Sequence, residues 1–487
     1  MKVGLVNPSQ ASAVGMPLGL AYLASHARQC NPSVEVALLD AGVSTAQEID
    51  DFVALPHDVV GISTTYATYN DGENLAQRIR AANPEVKLVV GGPYVSIVGE
   101  KAVLDGPFDF GVYGEGELTF SELLGRLATS DTGDEDFRDI NGLIVRHDAT
   151  AATNPPRPLI ADIDSLPMPA YDLIRMDRYD QHAVLLARGC PFKCCFCSSN
   201  ATWKRKVRRR SVGEVVSEIQ YLQKHYPPKA LAFNDDTFNI KLSVVHEFCD
   251  EIRRRGLRLT WSCQGFRADN IDVETARLMK RAGCVSISIG IECANNRVLK
   301  TIGKGFQIEA IEEGIRTLNK GGILNITGQF MIGNPGETLE TVKESISFAK
   351  RAPLSGVSFY PAIPFPSTGL WDYVVEKGTF LVEPDCRDFD RVSPKIIFET
   401  EEFPREDRLK AIQLAESEGF LAGGRPTLVD RLSGLARRFV RHRLFALHIG
   451  KWSLGQALYP ELVRLKRWLR LHARRRSRAA SPSGQDR

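Results

Sequence analysis

The stretch that decides the fold reads Arg188-Gly189-Cys190-Pro191-Phe192-Lys193-Cys194-Cys195-Phe196-Cys197. Cys190, Cys194 and Cys197 stand in a C-x3-C-x2-C spacing. Three thiolates on one short loop can hold three irons of a [4Fe–4S] cluster and leave the fourth iron open to a ligand. Soft sulfur also suits zinc, and Cys194 with Cys197 has the spacing of a redox dithiol. A zinc site lacks a second Cys or Cys/His pair downstream, and a dithiol leaves Cys190 unexplained. Cys195, between two ligands, is expected to point away. Of the ten cysteines four crowd into this loop, whereas a secreted disulfide framework would spread them. Cys249, Cys263, Cys284 and Cys293 stand singly among apolar residues, as core thiols do.

Downstream, strand and helix signals alternate. Strands are expected at Ala183–Ala187, Ala230–Phe233, Leu259–Ser262, Ser286–Ile291, Ile326–Ile332 and Val357–Tyr360. Helices are expected between them at Val212–Lys224, Lys241–Arg254, Val273–Ala282, Ile308–Lys320 and Leu339–Ala349. A closed eight-stranded barrel takes about 250 residues, so this span, 183–398, predicts an open, partial (β/α)6 barrel. The cysteine loop follows its first strand, at the end where barrel chemistry sits.

Upstream, residues 1–130 alternate short apolar strands with helices, the mark of a parallel sheet covered on both faces. The prediction is an α/β, doubly wound, flavodoxin-like domain. Residues 131–182 are expected to be a linker. Asp131–Asp136 is polar, Asn141–Val145 offers a short strand, and prolines at 155, 156, 158, 167 and 169 forbid helix. That part is expected to run extended over the surface between the domains.

Residues 399–478 read as helical, with Pro404–Leu421 amphipathic and Leu428–Leu447 and Leu458–Arg476 basic. Residues 479–487 read as a disordered tail. Hydrophobic residues make up 43% and charged residues 25%, which excludes a mostly disordered chain. The net charge of +3 hides a split: residues 1–424 hold 46 basic against 56 acidic side chains, and 425–487 hold 16 against 3. Basic helices carrying Trp and Phe suit a membrane surface. A peripheral contact through 425–478 at the inner face is therefore expected, with nucleic-acid binding and a solvated helical cap as rivals. No apolar run reaches the 18 residues that mark a membrane-crossing helix and no signal-peptide core is present, so a cytoplasmic location is expected.

The cysteine loop on the first strand of a six-repeat barrel resembles the signature of the radical S-adenosylmethionine (SAM) superfamily. The sheet domain before it resembles the cobalamin (B12)-binding domain of one branch, which contains methyltransferases. The resemblance implies three cofactors: a [4Fe–4S] cluster on Cys190, Cys194 and Cys197, SAM, and cobalamin. It implies SAM contacts at Phe196, Asp235, Asp236, Gln264, Arg267, Glu292 and Met331. It implies cobalamin contacts at Pro17, Leu18, Ser63, Thr64, Tyr66, Gly91, Gly92, Gly114, Glu115 and Gly116. Many such domains carry D-x-H-x-x-G, whose His ligates cobalt. Here Asp40-Ala41-Gly42-Val43-Ser44-Thr45 has no His, which points to cobalt without a histidine ligand.

The function implied is methylation of an unactivated carbon of a small-molecule or lipid-like substrate, by way of a 5′-deoxyadenosyl radical and methylcobalamin. Cyclisation or rearrangement without methyl transfer is the alternative, and a non-catalytic redox sensor is the alternative of another class. The resemblance also implies an external electron donor of flavodoxin or ferredoxin type, and no nucleic acid is expected.

Overall fold

The computed structural model describes residues 1–8, 15–129, 137–383 and 395–421. The polar loop 131–136, the two basic helices and the tail lie outside the described residues. No helix among the described residues is long and apolar enough to cross a membrane.

Seven strands build the first sheet: β1 (Lys2–Asn7), β2 (Glu35–Asp40), β3 (Val59–Ser63), β4 (Lys87–Gly91), β5 (Phe110–Val112), β6 (Leu143–His147) and β7 (Thr150–Thr153). Their order is β2-β1-β3-β4-β5-β6-β7. The first five are parallel. Their apolar runs, such as VVGIS in β3, are buried because helices cover both faces. The order in which strands are added reverses between β1 and β3, and ligands of such folds sit at the strand ends beside that point. Local chemistry places the helices. Thr45 and Glu48 close a capping box at the start of helix Ala46–Ala54.

β6 and β7 pair antiparallel and complete this sheet. Part of the expected linker therefore belongs to the first domain. The proline-rich remainder also differs from a surface strap. Short 3-10 turns at Ile163–Ser165, Tyr171–Leu173 and Met176–Arg178 carry it. Ile160, Ile163, Tyr171 and Met176 are buried in one cluster with Leu18 and Tyr22 of the first domain and Val215 and Ile219 of the second. Proline excludes helix without excluding burial, and the apolar residues between the prolines fill the seam.

The second domain contains β8 (Gln181–Val184), β9 (Ala187–Arg188), β10 (Arg208–Arg209), β11 (Ala230–Phe233), β12 (Trp261–Phe266), β13 (Cys284–Glu292), β14 (Ile326–Ile332) and β15 (Gly356–Pro361). The order β15-β14-β13-β12-β11-β8 makes a six-stranded sheet, parallel throughout. Helices Val212–His225, Leu242–Arg254, Val273–Arg281, Ile308–Lys320 and Leu339–Arg351 alternate with its strands. Ser211, Asp272 and Thr338 cap three of them. This is the open (β/α)6 barrel, with short helices Ser199–Trp203 and Asn296–Thr301 added after the first and fourth strands.

A closing segment follows. Helix Gly369–Lys377 leads into the antiparallel pair β16 (Gly378–Phe380) and β17 (Phe398–Thr400), then helix Arg405–Ser417. Leu370, Val374 and Phe398 share a core with Tyr94 and Val95 of the first domain. Phe359 of β15 donates its N–H to the Phe420 carbonyl at 2.7 Å, so the chain covers its own sheet edge.

Candidate functional site

The cysteine loop leaves β9 through Gly189, whose φ of 93° is open to glycine at low cost. A Cβ there would lie 2.1 Å from the Lys206 carbonyl oxygen, so glycine is also required for close packing. Cys190 Sγ lies 3.4 Å from Thr237 Oγ1, and Cys197 donates to Ser199 Oγ at 3.3 Å. Burial raises the Cys194 pKa, and the charge of Lys304 pulls it back. The Cys195 amide donates to Ile302, its carbonyl accepts from Leu370, and its side chain packs on the barrel core. Burial pushes its thiol up to about 11, an inert form. Cys249, Cys263, Cys284 and Cys293 are free and buried.

Among the described residues no group of His, Cys, Asp or Glu is gathered tightly enough for one metal ion. The loop instead offers three thiols spread along eight residues, 190–197, a donor set that suits a multi-iron core in which each sulfur holds a different iron.

The expected SAM contacts divide. Asp235 is fully buried. Its Oδ1 accepts the amides of Leu186 at 3.1 Å and Ala187 at 2.5 Å. Burial pushes its acid up to about 7. It clamps the strand that leads into the cysteine loop and is not free to bind a ligand, contrary to expectation. Asp236 lines the cavity described below and accepts from the Gly189 amide at 3.0 Å. Gly265 permits this approach, since a Cβ there would lie 2.4 Å from the Asp235 carbonyl oxygen. Arg267 also differs from expectation. Its guanidinium pairs with Asp269 at 2.7 Å and stacks 3.7 Å from the Phe192 ring centre, so it braces the cysteine loop.

Glu292, at a left-handed φ of 67°, pairs with Lys304 at 2.9 Å. A Cβ at Gly290 would lie 2.6 Å from the Glu292 carboxylate, so that glycine admits the pair. The Lys304 ammonium lies 5.8 Å from the Phe196 ring centre. Met331 and Phe196 are half-buried and packed on the interdomain cluster. Gln264 is exposed on β12.

A cavity of about 530 Å³ opens between the domains. The sheet contributes Ser63, Gly91, Gly92, Gly114, Glu115 and Gly116, and the barrel contributes Cys197, Asn234, Asp236 and Trp203. Gly19 and Gly114 have open space where a Cβ would project. The polar rim gives way to Leu20, Ile62, Val89, Val112 and Phe120. A glycine-walled cleft with an apolar recess fits a flat macrocycle carrying a less polar appendage.

Other expected cobalamin contacts lie elsewhere. Thr64 is buried and bonds the Gly91 carbonyl at 3.1 Å. Tyr66 turns to Tyr94 and Phe365, with ring centres 5.1 and 5.0 Å away. Leu18 is in the seam core and Pro17 precedes the helix, while their successors Gly19 and Leu20 reach the cavity. Glu115 touches the cavity, but its carboxylate is held by Arg188 at 2.8 Å, by Arg208 and by the Ile160 amide.

Sequence reasoning missed that ion cluster. Arg188 also pairs with Glu117 at 2.7 Å and sits 5.0 Å from the Tyr22 ring centre. It ties the β5 turn of the first domain to the strand before the cysteines. Lys304 was missed as well, because its partner stands twelve residues earlier with a helix between them.

Residues 184–349 match the Radical SAM superfamily and residues 8–124 the B12 binding domain. An uncharacterized methyltransferase of Pyrococcus horikoshii is 33% identical over 432 residues, 85% of this chain and 91% of that one. The cytidylyl-2-hydroxyethylphosphonate methyltransferase of Streptomyces wedmorensis is 27% identical over 79% of this chain and 83% of its own. The anaerobic magnesium-protoporphyrin IX monomethyl ester cyclase of Rubrivivax gelatinosus is 27% identical over 74% and 66%. In fold, the chain resembles the radical SAM methyltransferase TsrM of Kitasatospora setae, solved with cobalamin and [4Fe–4S] cluster bound: TM-score 0.64, 22% identity, 77% of this chain and 74% of that one.

The fold and site define a radical enzyme scaffold, a cobalamin domain set over a radical SAM barrel. The chain belongs to the cobalamin-dependent radical SAM methyltransferase family, whose cofactors are a [4Fe–4S] cluster, SAM and cobalamin.

Proposed function

We propose that this enzyme methylates an unactivated carbon of a small-molecule substrate bound between its two domains. The observation that carries the reading is a cavity lined both by Cys197, Asn234 and Asp236 of the barrel and by Gly91, Gly92, Gly114 and Gly116 of the sheet. When bound, the cofactors supply the radical and the methyl group; the protein supplies position and exclusion of water.

Cys190, Cys194 and Cys197 hold the cluster. Asp236 accepts hydrogen bonds from the SAM ammonium group. Glu292 takes ribose hydroxyls as a strand-end carboxylate does in dinucleotide folds, and Lys304 neutralises a carboxylate. Phe196 and Met331 flank the adenine. Ser63 and the strand-end glycines bring backbone close to cobalamin. The relatives named as methyltransferases favour methyl transfer, and the one named as a cyclase is the specific reason to keep ring closure as a second reading.

Methyl-labelled SAM, incubated with the reduced holoenzyme and candidate substrates, decides between them. Label is expected in the product. A rearranged product without label would overturn methyl transfer. Cys190→Ala, Cys194→Ala and Cys197→Ala are each expected to lose cluster iron and 5′-deoxyadenosine formation, while Cys195→Ala keeps both.

A further inference from the structure

Five exposed cations flank the cluster thiols: Lys193 on the loop itself, and Lys204, Arg205, Lys206 and Arg209 just after it. Their neighbours Arg188, Arg208 and Arg210 are neutralised in buried ion pairs. The five form no ion pair among the described residues. They stand out on a body whose first 424 residues carry 46 basic against 56 acidic side chains.

The backbone fixes this cationic tip beside the cluster. β9 and β10 pair antiparallel, Arg208 with Arg188 and Arg209 with Ala187. The Lys206 carbonyl rests on Gly189, the residue before Cys190. Lys204 and Arg205 both hold left-handed φ values, 48° and 60°. Such a conformation is unfavourable for a residue with a side chain and persists only where its surroundings impose it. Here the Lys204 amide donates to Asn200 and the Lys206 amide to Trp203, both at 2.9 Å. The tip is exposed, charged and pinned.

We propose that this tip is the docking surface for an acidic one-electron carrier protein that reduces the cluster. The inference rests on the reading of the site as a reductively triggered radical SAM centre. Charge selects the partner, because a positive patch meeting a negative one steers encounter and fixes register. Position selects the role, since the tip is backbone-paired to the strand that enters the cysteine loop. Thr202 and Trp203 line the cavity and the four cations after them do not, so the charges face a partner outside rather than a substrate within. One electron leaves the carrier and enters the cluster, and no bond forms or breaks at the surface.

The test uses the reconstituted holoenzyme and an acidic flavodoxin. Binding is read by fluorescence anisotropy at low and high salt. Lys204→Glu/Arg205→Glu/Lys206→Glu is expected to raise Kd about tenfold or more, and the Gln triple variant less. Wild-type binding weakens with salt. Formation of 5′-deoxyadenosine falls in parallel when reduced flavodoxin is the donor, and is unchanged with reduced methyl viologen. The proposal is overturned by an unchanged Kd, by equal losses with both donors, or by tighter binding of an oligonucleotide than of the flavodoxin. The reading of the site fails separately, if the wild type makes no 5′-deoxyadenosine with viologen; the anisotropy arm still decides the docking.

Discussion

At Asp235 a carboxylate oxygen receives the amides of Leu186 and Ala187, and burial lifts the acid to about 7. In the unfolded chain an Asp titrates near about 3.9. Below that pH both states hold the proton and the group costs nothing. Between about 4 and 7 the unfolded state ionises first, so stability falls as pH rises, and the loss is complete above about 7. Asp235→Asn keeps the accepting oxygen and removes the titration. The denaturant midpoint of the wild-type apoprotein is expected to fall across that window relative to the variant, and parallel profiles would refute this role. The sequence held a usable signal here. Leu231 and Phe233 face the helix side of β11, so alternation sends Asp235 the same way and Asn234 and Asp236 into the barrel. Lys304 was not legible in this way, because no local period relates it to Glu292.

At the scale of elements, strands such as β11 and β14 and helix Ile308–Lys320 were readable to the residue, because apolar runs and 3.6-residue periods are local. A strand was expected at Asn141–Val145, where β6 (Leu143–His147) lies, but its pairing with β5 and β7 and the burial of the proline-rich segment were not legible, because each depends on a surface built elsewhere in the chain. The ion cluster is the same kind of feature. Arg188 meets Glu115 and Glu117 from over seventy residues upstream. Arg188→Met leaves the buried Glu117 carboxylate unpaired, while Glu115 keeps Arg208 and the Ile160 amide; breaking a buried pair typically costs about 3–5 kcal/mol. The expected result is a lower urea midpoint, with a double-mutant cycle against Glu117→Gln giving a coupling above about 0.5 kcal/mol. Additive losses would show that the two side chains act independently.

Across the whole molecule the site is legible in its chemistry and not in its assembly. The thiol spacing and the strand-end glycines were plain in the chain, whereas their meeting across one cavity is a product of domain docking. The closing segment bears on that docking. A chain ending after Thr400 lacks the Phe420 contact that covers β15. It is expected to scatter light on storage at concentrations where the full chain stays clear, because a bare edge strand recruits others; a clear solution would show the edge is protected in another way. The proline-rich seam carries a consequence for synthesis. Leu18, Tyr22, Ile160 and Tyr171 emerge from the ribosome before the barrel helices whose Val215 and Ile219 they pack against. During that interval the nascent chain carries a half-formed core open to water, of the sort that draws chaperones and aggregates. The rate at which the barrel is translated therefore sets how long the first domain must wait with its greasy side uncovered.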